Sequence, residues 1–356
     1  MTDVVELRSD TFTLPTPAML EAAAQAPLGD DVYGEDPTVA QLEHLAAELL
    51  GKEAACLMPS GTMANLTATL VHCPRGGKAI VGRESDIYVY EAGGASVCGG
   101  VVYEPLPNRP DGTIDPADIE QACAVDCNDP QFARPSMISL ETPQNRCGGV
   151  PLSLPYLAEI AGLARRYGVA LHLDGARLFN AATALRVTPA EIAAVADTVQ
   201  VCLSKGLCAP IGSVLAGDAR AISAARRVRK MLGGGMRQAG VVAACGIVAL
   251  TKMTGRLADD HANAARLAAG LAVLPGITLS PPATNMVFFR VHDDRYTTCS
   301  FISAARDRGV RVEELGHGRI RAVTHADVSA AAVDRAIQVF TELLAGPRTG
   351  AGEEAR

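Results

Sequence analysis

The sequence predicts an α/β protein with a mainly parallel central sheet covered by helices, and a smaller α/β domain towards its C-terminus. Two patterns predict this fold class. Short β-branched or apolar runs alternate with amphipathic helical segments through most of the chain, which is typical of parallel sheets. Near Arg256 this order changes to a long helix followed by shorter elements. Since 356 residues exceed one ordinary domain, we expect a large domain over residues 1–254, a small one over 255–346 and a disordered tail over 347–356.

The individual elements follow from these patterns in chain order. Apolar runs predict strands in the large domain at Ala54–Met58, Ala79–Gly82, Val101–Glu104, Met137–Glu141, Ala170–Leu173, Thr198–Leu203 and Ser213–Gly217. Helical periodicity predicts helices at Val39–Leu50, Thr62–His72, Pro116–Ala124, Leu154–Tyr167, Ala219–Met231 and Gln238–Met253. In the small domain the patterns predict a helix at Ala258–Leu274, a strand at Asn285–Val291, a helix near Phe301–Arg308, a strand at Ile320–Val323 and a final helix.

Composition limits the classes of partner. The net charge is −7 and both signs are mixed along the chain, so we expect no nucleic-acid partner. The N-terminal residues are charged and the longest apolar run, Val241–Leu250, is too short to span a bilayer. We therefore expect no membrane partner and a cytoplasmic location. The ten cysteines form no CxxC pair and the histidines have no metal-ligand spacing, so we expect reduced thiols and no metal.

Lys205 has an unusual setting among the five lysines of the chain. It directly follows the predicted strand Thr198–Leu203 and precedes Gly206, so it should lie at the edge where an α/β sheet binds ligands. A partly desolvated amine beside other cations has a lowered pKa and can form an imine with a carbonyl compound. For Lys205 alone, a solvated loop lysine is the simpler interpretation.

Asp174 ends the predicted strand Ala170–Leu173 in the run HLDGARLFN, so it should lie at the same edge of the sheet. A carboxylate there can pair with a protonated pyridine nitrogen and keep the ring an electron sink. As an isolated observation, Asp174 could merely cap the next helix. Together with Lys205 it favours pyridoxal phosphate as the cofactor.

An anion site is predicted where the strand Ala54–Met58 runs through Ser60, Gly61 and Thr62 into a helix. Free amides, the helix dipole and two hydroxyl groups at that position suit a single phosphate. A simple capped helix would have a similar sequence. The absence of GxGxxG and GxxxxGK[ST] argues against a dinucleotide or a nucleoside triphosphate.

An amino-acid substrate needs a partner for its carboxylate while the bond to be broken stands perpendicular to the ring. Arg177, three residues beyond Asp174, and Arg321, in IRAVTHADV, are candidates because a guanidinium binds carboxylates in a bidentate manner. For Arg321, a surface arginine on an edge strand is an equally good interpretation.

These motifs together resemble the threonine aldolase branch of the aromatic amino acid β-eliminating lyase/threonine aldolase family, the low-specificity L-threonine aldolases. The matching segments are LRSDTFTLP, GDDVYGEDPTV, PSGTMANL, YEAGGA, HLDGARLFNA, LSKGLCAPIGS, RKMLGGGMRQ, TNMVFFRV and RAVTHADVS, and they cover nearly the whole chain. The resemblance implies the aspartate aminotransferase fold, called fold type I of the enzymes that use pyridoxal phosphate.

The resemblance also implies roles for the matching residues. The implied cofactor-binding residues are Ser60, Gly61, Thr62, Asp174, Arg177, Ser204, Lys205, Lys230 and Arg237. The implied substrate-binding residues are Ser9, Tyr33, Arg177 and Arg321. Lys205 would carry the cofactor, whereas Lys230 and Arg237 would approach the phosphate from a neighbouring subunit, with Tyr33 near a subunit boundary. Such shared sites imply an obligate oligomer, typically a homotetramer built from two dimers.

The chain departs from the family pattern at two histidines. The family histidine that stacks on the cofactor ring is Asp86 here, in ESDIYVYEAGG. A second family histidine, near the substrate β-hydroxyl group, is Gln144 here, in ETPQN. Retro-aldol cleavage needs a base for the β-hydroxyl proton, directly or through water, and glutamine cannot act as one. Asp86 or an ordered water is therefore the remaining candidate.

The function expected from the resemblance is retro-aldol cleavage of an L-3-hydroxy-α-amino acid to glycine and an aldehyde, with Lys205, Asp174, Asp86 and Gln144 in the catalytic site. The alternative is a diverged member that acts as a racemase, a β-eliminating lyase or a β-replacement enzyme, since Asp86 would lie opposite Lys205 across the ring. Asp86 could also bind a cationic substrate side chain. A non-catalytic regulator would need a DNA-binding segment or loss of the lysine, and the sequence has neither.

Overall fold

The structure, a computed structural model, describes residues 4–345. The described chain forms two compact units, one of residues 13–258 and one of residues 4–12 with 259–345. The sequence places the N-terminal segment in the large domain, and here the structure differs. Val5 and Glu6 pair in parallel with Val310 and Arg311, which joins this segment to the small unit. The predicted tail, 347–356, lies outside the described residues.

The strands and helices are defined by the following bounds. The strands are β1 (Val5–Glu6), β2 (Ala54–Met58), β3 (Lys78–Gly82), β4 (Val102–Leu106), β5 (Pro135–Glu141), β6 (Ala170–Asp174), β7 (Thr198–Cys202), β8 (Ser213–Gly217), β9 (Ile277–Leu279), β10 (Met286–Val291), β11 (Val310–Arg311), β12 (Glu313–Glu314) and β13 (Ile320–Val323). The α-helices are α1 (Pro17–Gln25), α2 (Pro37–Leu50), α3 (Gly61–His72), α4 (Asp86–Val89), α5 (Gly94–Gly99), α6 (Pro116–Cys123), α7 (Leu154–Tyr167), α8 (Leu178–Leu185), α9 (Pro189–Ala193), α10 (Ala219–Met231), α11 (Gly240–Val248), α12 (Leu257–Ala272), α13 (Thr298–Asp307) and α14 (Ala330–Ala345).

The large unit contains a seven-stranded sheet in the order β2-β8-β7-β6-β5-β3-β4. The pairs among β3, β4, β5, β6 and β7 are parallel, and β8 is antiparallel to both of its neighbours. The predicted mainly parallel sheet is therefore confirmed. In register, Glu141 lies beside Asp174 and Asp174 beside Gln200. The carboxyl ends of three adjacent strands thus form one row of polar side chains.

The central strands are buried, and their few polar residues therefore have a special importance. Every residue of β7 and β8 is buried, and so are four of the five residues of β6. Such strands are usually apolar throughout, because a buried polar group without a partner is costly. His172, Thr198 and Gln200 break that pattern, and all three have hydrogen-bond partners.

Several helices begin at caps that the sequence encodes. Asp36 caps α2, with Pro37 as its first residue, and Ser153 caps α7. The sequence patterns did not predict α1, α4, α5, α8 and α9. Two of these had local signals, because Thr16 precedes a proline at the start of α1 and Thr188 forms a capping box at the start of α9.

The small unit has a four-stranded antiparallel sheet in the order β12-β13-β10-β9. Its core includes Phe289, Phe301 and Phe340, whose ring centroids lie 5.6–6.5 Å apart. Arg321 lies on β13, opposite Phe288 of β10 and Glu313 of β12, and is buried. The interpretation of Arg321 as a surface arginine on an edge strand is therefore wrong, because a strand pairs on each side of it.

One helix among the described residues, Gly240–Ala272, is long and apolar enough to cross a membrane by length and composition alone. It extends well beyond the apolar run identified in the sequence, because π-helical and 3-10 turns connect α11 to α12. In its most apolar window, 44% of the residues are buried inside the protein. Core helices of soluble proteins meet the same criterion.

Candidate active site

The carboxyl edge of the sheet brings together the two residues that the sequence analysis emphasised most. Asp174 is the last residue of β6, and Lys205 follows the adjacent strand β7. Lys205 is half-buried, and its carbonyl group accepts hydrogen bonds from the Thr13 hydroxyl (2.7 Å) and the Cys208 amide (2.8 Å). Within residues 4–345 no carboxylate lies at ion-pair distance from the Lys205 amine. The backbone of Lys205 is fixed while its amine has no ion-pair partner.

Asp174 is 2% exposed and accepts hydrogen bonds from three neutral donors. Its Oδ1 atom accepts from the Gln200 side-chain amide (2.5 Å) and the Ala176 backbone amide (3.0 Å). Its Oδ2 atom accepts from the Asn65 side-chain amide (2.8 Å). A carboxylate oxygen can accept more than one hydrogen bond, so Oδ2 can accept from a further donor such as a pyridinium N–H group.

The start of α3 provides the predicted anion site. Ser60 is the N-cap, and its hydroxyl accepts a hydrogen bond from the Met63 amide (3.2 Å). The first amides of a helix, here those of Gly61 and Thr62, have no partner within the helix. A Cβ atom on Gly61 would lie 2.7 Å from the sulfur of Cys202, so the close approach of this turn to β7 requires glycine. These groups suit a phosphate.

Three further carboxyl groups surround this edge. Glu141 ends β5 and is buried; burial, reinforced by Asp86 and Asp174, raises its pKa well above the ordinary value. Burial also raises the pKa of Glu91 well above its usual range, and the charge on Asp174 adds to this effect. Each shift disfavours the ionised form of the carboxyl group.

Asp86, which occupies the position of a family histidine, is half-buried at the start of α4. Its backbone amide donates to Glu141 Oε2 (2.7 Å), and its two carboxylate oxygens accept from the Asn145 side-chain amide (3.0 and 3.2 Å). No cation of residues 4–345 forms an ion pair with Asp86. Its carboxylate is therefore oriented by a neutral donor and can accept further hydrogen bonds or a proton.

Gln144, at the second departure, is only 1% exposed. Its amide nitrogen donates to the Glu84 carbonyl (2.8 Å) and lies 3.4 Å from Glu141 Oε2, while its amide oxygen accepts from the Cys147 backbone amide (2.7 Å). The peptide bond between Thr142 and Pro143, in the same loop, is cis. The side chain thus stabilises its own loop and has neither the chemistry nor the free groups of a base.

The residues predicted to bind the substrate carboxylate divide between the two units. Arg177 lies in the large unit, at the N-terminus of α8, and is 7% exposed. Ser9 and Arg321 lie in the small unit; Arg321 donates to the carbonyl of Arg8 (3.0 Å), and Ser9 accepts from the amide of Thr11 (3.2 Å). Their role towards a substrate stays a prediction.

The residues predicted to serve a neighbouring subunit lie at the surface. Tyr33 is 75% exposed, and it lines a cavity of about 590 Å³ together with Lys230 at the end of α10. Arg237 is exposed and pairs with Asp30 at 2.9 Å. Ser204 is half-buried beside Lys205. The first three residues are accessible to a second copy of the chain.

Several residues that contact the predicted ones, either directly or through one another, were not predicted. They are Asn65, Glu91, Glu141, Asn145, His172, Thr198 and Gln200. Two sequence features pointed towards them. His172 lies two residues before Asp174, so it faces the same side of the sheet, and Asn65 lies one helical turn after Gly61.

The chain is similar to known lyases over most of its length. Residues 6–294 match the family described as Beta-eliminating lyase. The low-specificity L-threonine aldolase 1 of Arabidopsis thaliana is 43% identical and spans 96% of both chains. The low specificity L-threonine aldolase of Escherichia coli K12 is 45% identical over 92% of this chain and 95% of the bacterial one.

A solved structure gives the same result for the fold. The threonine aldolase of Leishmania major superimposes with a TM-score of 0.79 at 24% identity, covering 96% of this chain and 99% of that one. The expected fold type I is thereby confirmed. The family match covers most of the chain, and the two relatives exceed 40% identity over more than nine-tenths of it. The chain therefore belongs to the beta-eliminating lyase family.

Proposed function

We propose that the protein is a pyridoxal-phosphate-dependent carbon–carbon lyase of threonine aldolase type, which splits an L-3-hydroxy-α-amino acid into glycine and an aldehyde. The observation that carries this proposal is the placement of Lys205 and Asp174 at adjacent strand ends, in a chain whose relatives are named threonine aldolases. The two residues supply an amine without an ion-pair partner and a buried carboxylate with accepting capacity left on Oδ2.

The residues present fit pyridoxal phosphate. Lys205 would hold it covalently, Asp174 Oδ2 would accept the hydrogen of the pyridine nitrogen, and the turn at Ser60, Gly61 and Thr62 would bind the phosphate. When bound, the cofactor supplies an electron sink that stabilises negative charge at the substrate Cα. The close packing of Gly61 against Cys202 supports this fit, because it places the first amides of α3 beside β7, the strand that leads to Lys205.

Other side chains would bind the substrate, orient it and accept its β-hydroxyl proton. Arg177 would bind the substrate carboxylate and orient the Cα–Cβ bond. Asp86 would take the β-hydroxyl proton on a carboxylate oxygen, directly or through a water, because Gln144 has no basic atom. The contact from Asn145 would hold the Asp86 carboxylate in one orientation while that proton moves.

A second candidate rests on Asp86 itself. A carboxylate in place of an imidazole can return a proton to Cα instead of accepting one from the β-hydroxyl group. The protein would then racemise an amino acid, or eliminate or replace a β-substituent, with the same lysine and the same electron sink. Retro-aldol cleavage releases an aldehyde, whereas racemisation exchanges the Cα proton and releases none.

The test follows both products at once. The purified protein is incubated with L-threonine and with L-allo-threonine in heavy water, and aldehyde release and Cα deuterium incorporation are measured. The proposal predicts aldehyde release that is abolished in Lys205→Ala and strongly reduced in Asp86→Asn, which keeps the shape of the side chain but loses its basicity. Exchange without aldehyde would establish the second candidate. An unchanged visible absorption spectrum in Lys205→Ala would refute the cofactor assignment.

The proposal includes a homotetramer whose sites are shared between subunits. The exposed Tyr33 and Lys230, beside a cavity of about 590 Å³, support it. In a mixed oligomer of Lys205→Ala and Lys230→Ala subunits, a shared site combines the intact Lys205 of one subunit with the intact Lys230 of the other. Co-expression of these two inactive variants should therefore restore activity. Oligomers that contain both variants but stay inactive would show that Lys230 serves its own subunit.

A further inference from the structure

One face of the large sheet carries an unbroken chain of polar contacts that leads to Asp174. His172 and Asp174 lie two residues apart on β6, so their side chains face the same side of the sheet. Their neighbours in register on β7 are Thr198 and Gln200. Helix α3 packs on this face. It carries Asn65 and His72, which lie seven residues apart and therefore on one side of the helix.

The contacts run from His72 to two carboxyl groups. His72 Nε2 lies 2.9 Å from Thr198 Oγ1, and Thr198 Oγ1 lies 2.9 Å from His172 Nδ1. His172 Nε2 lies 3.0 Å from Asn65 Oδ1. The Asn65 amide nitrogen then donates to both Asp174 Oδ2 and Glu91 Oε1, each at 2.8 Å.

The direction of every hydrogen bond follows from the number of hydrogens available. Asn65 donates both of its amide hydrogens to carboxyl oxygens. Its Oδ1 atom can only accept, so His172 Nε2 must carry the hydrogen of that contact. Burial lowers the pKa of His172 to about 3, so its ring is neutral at neutral pH and Nδ1 has a lone pair. Thr198 donates its single hydrogen to that lone pair, and its oxygen accepts from His72 Nε2–H.

We propose that the chain His72–Thr198–His172–Asn65, called the relay below, is a positioning device for the proposed cofactor site. It locks the Asn65 amide so that its two hydrogens point at Asp174 and Glu91, and it thereby fixes which oxygen of Asp174 faces the pyridine nitrogen. This inference rests on the proposed function only in its assumption that Asp174 meets that nitrogen. The arrangement of hydrogens is a property of the protein alone.

The reverse orientation of Asn65 shows why the lock matters. If the amide turned over, its oxygen would face two carboxyl oxygens and its nitrogen would face the Nε2–H group of His172. The contacts of Asn65 with Asp174 and with the Nε2–H group of His172 would become repulsive, and Asp174 would lose the donor on the oxygen that meets the pyridine nitrogen. A carboxylate that loses a donor holds a proton more readily, which weakens its ability to keep the pyridine nitrogen protonated.

The first test needs neither cofactor nor activity. In the protein without cofactor, labelled with 15N-histidine, one ring should show a protonated Nε2 and an unprotonated, hydrogen-bonded Nδ1, and should stay neutral well below pH 6. The signal is assigned by its loss in His172→Phe. A protonated Nδ1 with a bare Nε2, or ordinary titration near pH 6.5, would overturn the proposed hydrogen-bond directions.

The second test reads the pyridine nitrogen directly. With 15N-labelled pyridoxal phosphate bound, the wild type should show a protonated pyridine nitrogen, and His172→Phe should shift that signal towards the unprotonated form. Turnover should fall about tenfold, which corresponds to the loss of roughly one hydrogen bond. Phenylalanine fills a similar volume, so a packing role alone would leave the pyridine signal unchanged and would refute the inference.

A conservative pair of variants covers the case in which His172→Phe does not fold. Thr198→Ser keeps the hydroxyl hydrogen and should keep both nitrogen signals. Thr198→Val removes the hydroxyl group that donates to His172 Nδ1 and should shift the Nδ1 signal of the protein without cofactor. Identical Nδ1 signals in the two variants would contradict the relay. Failure of the wild type to bind pyridoxal phosphate would refute the proposed function, and the histidine measurement would still decide the hydrogen-bond directions.

Discussion

Replacement of Arg229 by methionine should destabilise the protein substantially. Arg229 and Asp31 are each 4% exposed and form an ion pair at 2.8 Å, and Arg229 also donates to the carbonyl of Leu57 at 2.7 Å. Methionine keeps the length of the aliphatic part but leaves Asp31 as a buried charge without its partner. Such a change costs about 3–5 kcal/mol, and we expect about 3 because Arg226 also lies close enough to attract Asp31.

A loss of about 3 kcal/mol corresponds to a decrease in Tm of roughly 6–12 °C for a unit of this size. Urea unfolding, followed by circular dichroism and tyrosine fluorescence at fixed protein concentration, measures the free energy of unfolding; the chain has seven tyrosines and no tryptophan. The double variant Arg229→Met with Asp31→Asn is the control. It removes both charges and should be more stable than Arg229→Met alone. A single variant within about 1 kcal/mol of wild type, or a double variant less stable than the single, would refute the reasoning.

Three other substitutions test the site. Gly61→Ala should weaken binding of pyridoxal phosphate and lower the free energy of unfolding by about 1–3 kcal/mol, because its Cβ atom would lie 2.7 Å from the Cys202 sulfur. Adding Cys202→Ala in the same chain should recover most of the binding and most of the stability. No recovery would exclude this contact as the cause. The folded pKa of His172, about 3, lies below its ordinary 6.5, so its contribution to stability is complete above pH 6.5 and is lost as the pH falls towards 3. His172→Phe should therefore lose less stability between pH 7 and pH 5 than wild type in urea unfolding, and equal losses would contradict the shift. Asp86→His should raise aldehyde release. Adding Gln144→His should raise aldehyde release little further and should lower the free energy of unfolding by about 2 kcal/mol, because Gln144 makes buried contacts. No gain in aldehyde from either variant would show that the missing imidazoles do not limit cleavage.

The sheet was predictable because its strands are short, apolar and separated by clear helical segments. The seven predicted strands of the large domain are all present, with ends that differ by two residues at most. The N-terminal boundary was not predictable in the same way. Val5 and Glu6 pair with Val310 and Arg311 across more than three hundred residues of sequence, and a two-residue strand has no periodicity that could indicate its partner.

The candidate site also contains some residues that the sequence could indicate and others that only the tertiary structure reveals. Asp174 and Lys205 were recognisable because a charged residue directly after an apolar strand is conspicuous in one sequence. Glu141 also ends a strand, yet its significance depends on the register that places it beside Asp174. Asn65 looks like an ordinary helical residue, and only the packing of α3 on β6 and β7 reveals that its amide joins two carboxyl groups. Pairwise contacts of this kind come from tertiary structure and have no local pattern.

The residues proposed to orient the cofactor and those proposed to move the substrate proton have different hydrogen-bond partners. The side chains of Asp174 and Glu91 share the Asn65 amide, whereas Asp86 and Gln144 are connected through Glu141 and Asn145. Glu141 lies beside Asp174 in the sheet and accepts hydrogen bonds from the backbone amides of Asp86 and Asn145, whereas Asp174 accepts from Asn65, Ala176 and Gln200. A substitution at Asp86 would therefore alter the group that we propose takes the β-hydroxyl proton, and it would leave the donors that orient Asp174 in place. Contacts of this type transmit mutational effects, and residues without shared partners tend to act independently. Under the proposed function, the electron sink and the choice of bond to be broken would thus depend on different direct contacts at one edge of the sheet.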